Sequence, residues 1–204
     1  MSNTPDIQLS LGDQLSLSDL MDQLHDLAGL DEGLPDPSTD EGRATRDFFA
    51  NNWDEAREGL LSRTQHVRVR PLPGAGPRSF SYEVDRPYKC KRPQGIVELA
   101  SGPVRGTIRY RPNVLAPDPG SRSVLVFVDS DGFYHPNFSR SHGVLCLGDL
   151  PPGPFPLEAL IEHLYSIISY QNMDSTNPAD WEAVRYFATD PEALQGLTEV
   201  EPLY

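Results

Sequence analysis

Basic charge is missing from the first fifth of this 204-residue chain. Residues 1–41 hold ten Asp/Glu and no Lys or Arg, while the remaining 163 residues hold 17 basic and 20 acidic groups. An acidic arm is thus joined to a nearly balanced body. No basic stripe of the kind nucleic acid requires is visible along the chain, and an acidic surface does not suit anionic lipid. Neither nucleic acid nor membrane is expected as a partner. Long apolar runs are also missing: none approaches the ~20 residues that span a bilayer. The opening MSNTPDIQLS has neither a basic start nor an apolar core, so no secretory signal is expected. Cysteine is scarce, and Cys90 and Cys146 alone make no disulfide scaffold. A cytoplasmic protein with both thiols reduced is expected.

At roughly 150 residues per domain, the length suits one domain plus an appendage. A division at 1–42 (acidic arm with amphipathic helix and linker) and 43–204 (main domain) follows. In the arm, Leu15, Leu17, Leu20, Met21, Leu24, Leu27 and Leu30 recur at steps close to three and four, as on one helical face. Pro35 to Gly42 reads as a linker. Helical spacing reappears from Arg43 to Arg63 and then gives way to period two at His66–Arg70 and Ser79–Val84. Gly106–Tyr110 is a third strand. The continuous apolar run Val124–Val128 is a fourth, buried on both faces. Helical periodicity returns at Leu157–Ile168 and again at Trp181, Val184 and Phe187. Helix, antiparallel strands, a long irregular segment and helices define an α+β domain.

Residues 129–156 are the unusual part, because a long connection without regular structure more often carries function than not. They contain His135, His142 and Cys146 within twelve positions. Several chemistries use these residue types. His135, His142, Cys146 and Cys90 could ligate zinc, though no standard paired-ligand spacing is present. Cys146 and a histidine could act as the nucleophile and base of a thiol peptidase, with Asp149 or Asn137 orienting the base. Cys146 could instead be a thioester carrier with Asn137 donating to the oxyanion. A buried cysteine and a hydrogen-bonded histidine with no chemistry is the bland alternative.

The run Tyr134-His135-Pro136-Asn137-Phe138, followed by Gly143-Val144-Leu145-Cys146-Leu147, resembles the active-site signature of ubiquitin-conjugating enzymes. The spacing from Asn137 to Cys146 is one residue longer than usual in that family, and Phe155-Pro156 stands where its Trp-x-Pro falls. Leu157–Ile168 resembles the helix after the family's cysteine, and Asn177-Pro178-Ala179 resembles the entry to the next one. With a long, loopy region before the active site and the core signature retained, the chain looks like the prokaryotic relatives that work beside a ubiquitin-like modifier.

The resemblance implies the ubiquitin-conjugating fold: N-terminal helix, four-stranded antiparallel meander, active-site loop and C-terminal helices. It also implies a catalytic domain that carries the modifier as a thioester on Cys146 and transfers it to an amine. Asn137 would serve the oxyanion, and His135 would hold the turn rather than act as a base. An acidic or polar residue would steer the incoming amine, with Asp174, Ser175, Asn177 and Asp180 as candidates and Asp180 preferred. His142 would line the approach. The implied partners are a ubiquitin-like modifier, its activating enzyme, and a ligase or target protein. No cofactor and no metal are implied. A catalytically silent modifier-binding module of the same fold is the alternative from another class.

Overall fold

The computed structural model describes residues 33–115, 123–148, 154–197 and 202–203. The arm helix expected between Gly12 and Gly33 lies outside the described residues. The first helix, α1 (Asp40–Glu58), begins three residues before the expected Arg43, inside the stretch read as linker. Thr39 is its cap: the hydroxyl accepts from the Gly42 N–H at 3.0 Å, and Asp40 and Glu41 sit in the acid-favouring first turn. The preceding chain folds back so closely that a Cβ at residue 42 would lie 1.9 Å from the Asp36 carbonyl oxygen. A glycine is therefore required there. The helical run expected through Arg63 breaks at Gly59 into a separate short turn, α2 (Leu60–Arg63).

The main sheet contains β1 (Val67–Pro71), β2 (Ser79–Val84), β5 (Val104–Tyr110), β6 (Val124–Val128), β8 (Val144–Leu145) and β7 (Phe138–Ser139), in that spatial order. Every pairing between these neighbours is antiparallel. The β1-β2-β5-β6 core is the expected four-strand meander, and β2 and β6 have the expected bounds. A hairpin of β3 (Tyr88–Lys91) and β4 (Val97–Ala100) is inserted between β2 and β5 as a two-stranded sheet of its own. Each strand is only four residues long, too short for the alternation in YKCK and VEL to mark it, so the hairpin was not expected from the sequence. Cys90 lies in this hairpin, buried, with Sγ 3.5 Å from the Asp131 carbonyl and close against Gly132.

On one side of the sheet Val67, Val69, Phe80, Tyr82, Ile108, Tyr110 and Val126 form the core with Phe49 of α1 and with α3 (Leu157–Ile168). Trp53 stacks on Phe80 at 5.6 Å, and Phe49 meets Tyr110 edge-on. Helix α3 starts at Pro156, which has no capping side chain. The Leu157 N–H instead donates to Oδ1 of Asn52 in α1, at 2.6 Å. Burial of both partners makes this cap worth more than an exposed one. Asn52→Ala is expected to lower stability by about 1–3 kcal/mol, measured by urea unfolding. The last helix, α4 (Trp181–Thr189), buries Ala183 and leaves Trp181 exposed, so its inward face is rotated from the one expected.

Candidate active site

The described part of the 129–156 segment, residues 129–148 and 154–156, is less irregular than its sequence suggested. Its centre is the β7–β8 hairpin, in which Phe138 pairs with Leu145 and Ser139 with Val144, and β8 adds to the edge of β6. The connection 140–143 closes through Gly143 in the left-handed region at φ 67°. The ladder continues one pair beyond the strands. The Cys146 N–H donates to the Asn137 carbonyl at 2.6 Å, and the Asn137 side-chain amide donates to the Cys146 carbonyl at 3.1 Å. The spacing of nine between Asn137 and Cys146 is thus the register of a hairpin, which sets the two residues opposite each other. On either side of the cysteine, Leu145 and Leu147 are buried in the core while Cys146 is half-buried. The alternation of a strand anchors the flanking residues and leaves the thiol-bearing position at the surface.

Asn137, almost fully buried, ties three segments together. Its N–H donates to Nδ1 of His135 at 3.0 Å, its NH2 reaches the cysteine backbone, and its Oδ1 accepts from the Asp174 N–H at 2.9 Å. His135 lies in the interior, stacked on Phe133 and 4.6 Å from the Tyr170 ring. Burial pushes its pKa down to about 3 against a weaker opposing pull from the Ile167 carbonyl. The ring is neutral, and its Nδ1 accepts from the Asn137 N–H within the turn.

This burial has a consequence for stability. The unfolded histidine binds a proton below about pH 6.5, whereas the folded one refuses it until about pH 3. The contribution is present in full above pH 6.5 and is lost as the pH falls through that window, at about 1.4 kcal/mol per unit. Between pH 6.5 and 5 the His135 share of the loss is therefore about 2 kcal/mol. Urea unfolding across this range measures it, and the His135 ring resonances should not titrate above pH 4.

Of the four residues considered for steering an amine, the structure separates two acids. Asp180 caps α4: Oδ1 accepts from the Glu182 and Ala183 N–H groups at 2.9 and 3.0 Å, and Oδ2 pairs with Nε of Arg140 at 2.8 Å. Its own N–H donates to the Pro136 carbonyl. Both carboxylate oxygens of Asp180, the residue preferred from the sequence, are thus engaged in holding α4 against the turn at 134–137. The Asp174 backbone is bonded to Asn137, and its carboxylate accepts from the Asn177 and Thr176 N–H groups, which hold its pKa below the usual carboxylate range. Ser175 and Asn177 are exposed on the same turn. His142 accepts or donates at Nδ1 with Ser139 and Ser141, at 3.0 and 2.8 Å, and belongs to the hairpin tip.

Lys91 and Arg140 each face the Tyr134 ring and each bind Glu182, joining the β3–β4 hairpin, the active-site turn and α4. Among the described residues, no group of three or more His, Cys, Asp and Glu side chains is placed to hold a metal ion. The set His135, His142, Cys146 and Cys90 is not brought together. Asp149 lies outside the described residues.

Two supporting residues had escaped the sequence reading. Nε2 of His163, on α3, donates to the Leu147 carbonyl at 2.7 Å and fixes the chain just after the cysteine. A lone histidine on the helix after the cysteine was the one available signal. Tyr170, just after α3, is the one non-glycine described residue in the left-handed region, at φ 58°. From there its hydroxyl donates to the Tyr134 carbonyl at 2.8 Å and accepts from the Lys89 N–H at 3.0 Å. Nothing in the local sequence marks that role.

Among solved structures, the chain is similar to one described as a novel ubiquitin-conjugating enzyme. The two are 18% identical over 70% of this chain and 84% of that one, with a TM-score of 0.48. It is also similar to human ubiquitin-conjugating enzyme E2 G1, at 13% identity over 61% of this chain and 96% of that one, with a TM-score of 0.41. No family model matches the sequence, and no curated protein matches it. Among the described residues no helix is long and apolar enough to cross a membrane.

Proposed function

We propose that the chain is a conjugating enzyme for a ubiquitin-like modifier, in a bacterial-type pathway, with Cys146 as the carrier. The observation that supports this most directly is the pairing of Asn137 with Cys146. A half-buried cysteine is held at the end of an edge hairpin by the backbone and side chain of the asparagine facing it. In the charging step the Cys146 thiolate attacks the thioester of an activating enzyme. A new S–C bond forms, the old one breaks, and the activating enzyme's thiol departs. In the discharge step an amine nitrogen attacks the same carbonyl, the C–S bond breaks, Cys146 leaves as thiolate and the nitrogen loses a proton. The product is an isopeptide. No further energy source is needed, because a thioester lies above an amide in free energy.

Asn137 carries a second N–H besides the one given to the Cys146 carbonyl, and that hydrogen is assigned to the oxyanion of the tetrahedral intermediate. The 174–177 turn, bonded to Asn137 through the Asp174 N–H, is assigned to steering the amine. A thiol peptidase needs a base for its sulfur. His135 has its Nδ1 engaged, His163 is bonded to a carbonyl and His142 is tied to two serines, which favours the carrier. The test is to purify the tagged chain under denaturing, non-reducing conditions from cells that contain its pathway. A species heavier by one modifier, lost on thiol treatment, is expected; an adduct indifferent to thiol would refute a thioester.

A further inference from the structure

The outer face of the main sheet gathers what the sequence scatters. Arg68 and Arg70 are exposed on β1, and Arg105 and Arg109 on β5. The register sets Arg68, Glu83 and Arg105 in one cross-strand row. Strand alternation puts all four arginines on the side away from Val67, Val69, Ile108 and Tyr110. Glu83 is the one acidic side chain that these strands place on that face, and it is shared by Arg105 at 2.9 Å and Arg68 at 3.5 Å. Arg70 makes no ion pair among the described residues, and Arg109 lies 5.5 Å over the half-buried ring of Phe127. In a chain of net charge −13, four arginines meet Glu83 on this face and Asp85 at its margin beside Arg68 and Arg105, so the face still reverses the sign of the chain, most clearly around Arg70 and Arg109. No run of the sequence displays it, because the arginines meet only through strand pairing.

We propose that this face is the docking site of the chain's own acidic N-terminal segment, residues 1–32. Charge complementarity selects that occupant: residues 1–32 hold seven carboxylates and no Lys or Arg. The same segment offers Leu15, Leu17, Leu20, Leu24 and Leu27 to cover Phe127 between the arginines. The described chain begins at Gly33, and Leu34 packs against the core. From that point 32 residues can extend about 100 Å, so the tether does not restrict which face is reached. Covalent attachment gives the segment an effective concentration in the millimolar range, ahead of an acidic partner of equal affinity arriving from solution. The inference stands independently of the chemistry at Cys146.

The test uses the full-length chain and amide NMR at low salt. The wild type is compared with a variant carrying Asp13→Asn, Asp19→Asn, Asp22→Asn and Asp26→Asn, all outside the described fold. The amides of Arg70, Thr107, Arg109 and Phe127 are expected to shift, while those of α3 stay in place. Raising the salt to ~1 M, where the Debye length falls to about 3 Å, should reproduce the shift in the wild type and leave the variant unchanged. The surface double variant Arg70→Gln/Arg109→Gln should move the resonances of residues 13–27 and abolish the salt effect. Unmoved outer-face amides would overturn the proposal and leave the face to an acidic partner in trans. Shifts that grow with protein concentration would overturn it in favour of a second copy of the chain.

Discussion

Cys146→Ala is expected to abolish the modifier adduct, and Cys146→Ser to replace it with one that resists thiols but yields to mild alkali. The physical reason lies in the leaving group. A thiolate, the conjugate base of an acid with pKa near 8.5, departs readily from a tetrahedral intermediate, whereas an alkoxide is far more basic and departs slowly. The serine ester therefore forms and then stalls, and transfer to an amine should fall by several orders of magnitude. The fold should tolerate either change. The half-buried Cys146 is held through its backbone, between the buried anchors Leu145 and Leu147. Cys90 provides the control, being buried against the Asp131 carbonyl and Gly132. Cys90→Ala should leave the adduct intact and cost stability. Non-reducing gels followed by thiol or alkali treatment read each outcome. A thiol-labile adduct that persists in Cys146→Ala would remove the carrier role.

Asn137→Asp is the sharper of two changes at the facing residue. It preserves the oxygen that accepts from the Asp174 N–H at 2.9 Å but removes the NH2 that donates to the Cys146 carbonyl at 3.1 Å. Loss of one donor to a developing oxyanion costs about 2.7–4 kcal/mol of barrier, so single-turnover discharge to free lysine should slow by ~10²–10³-fold. Asn137→Ala removes the brace as well, and leaving buried backbone partners unsatisfied should lower stability by about 1–3 kcal/mol. Discharge is therefore measured at a temperature where circular dichroism shows each variant folded. If the rate follows only the folded fraction, Asn137 acts as a brace alone, because a missing oxyanion donor slows fully folded enzyme too.

Much of the scaffold could be read from residue order, since its signals are local. Alternation marked β2 and a continuous apolar run marked β6, with bounds that match the structure. Apolar periodicity marked α3. The run from Tyr134 to Leu147 drew attention to Asn137 and Cys146 before any fold was known. The start of α1 was misplaced by three residues because an acidic, proline-flanked stretch reads as linker until the Thr39 hydroxyl is seen to accept from Gly42. The β3–β4 hairpin was missed because its residues are held by distant partners, such as the Tyr170 hydroxyl on the Lys89 N–H.

The sequence by itself singled out the candidate cysteine, the asparagine nine residues before it and the order of the elements around them, because each is carried by residue types at short separations. Tertiary structure alone decided how those groups are committed. It paired Asn137 with Cys146 across a hairpin, gave both oxygens of Asp180 to a helix cap and Arg140, and bonded the Asp174 N–H to the Asn137 side chain. It also buried His135 deeply enough to keep it neutral and assembled four arginines from two strands into one face. Hydrogen-bond partners, desolvation and surface charge depend on which distant segments share a place, and chain order does not encode that locally.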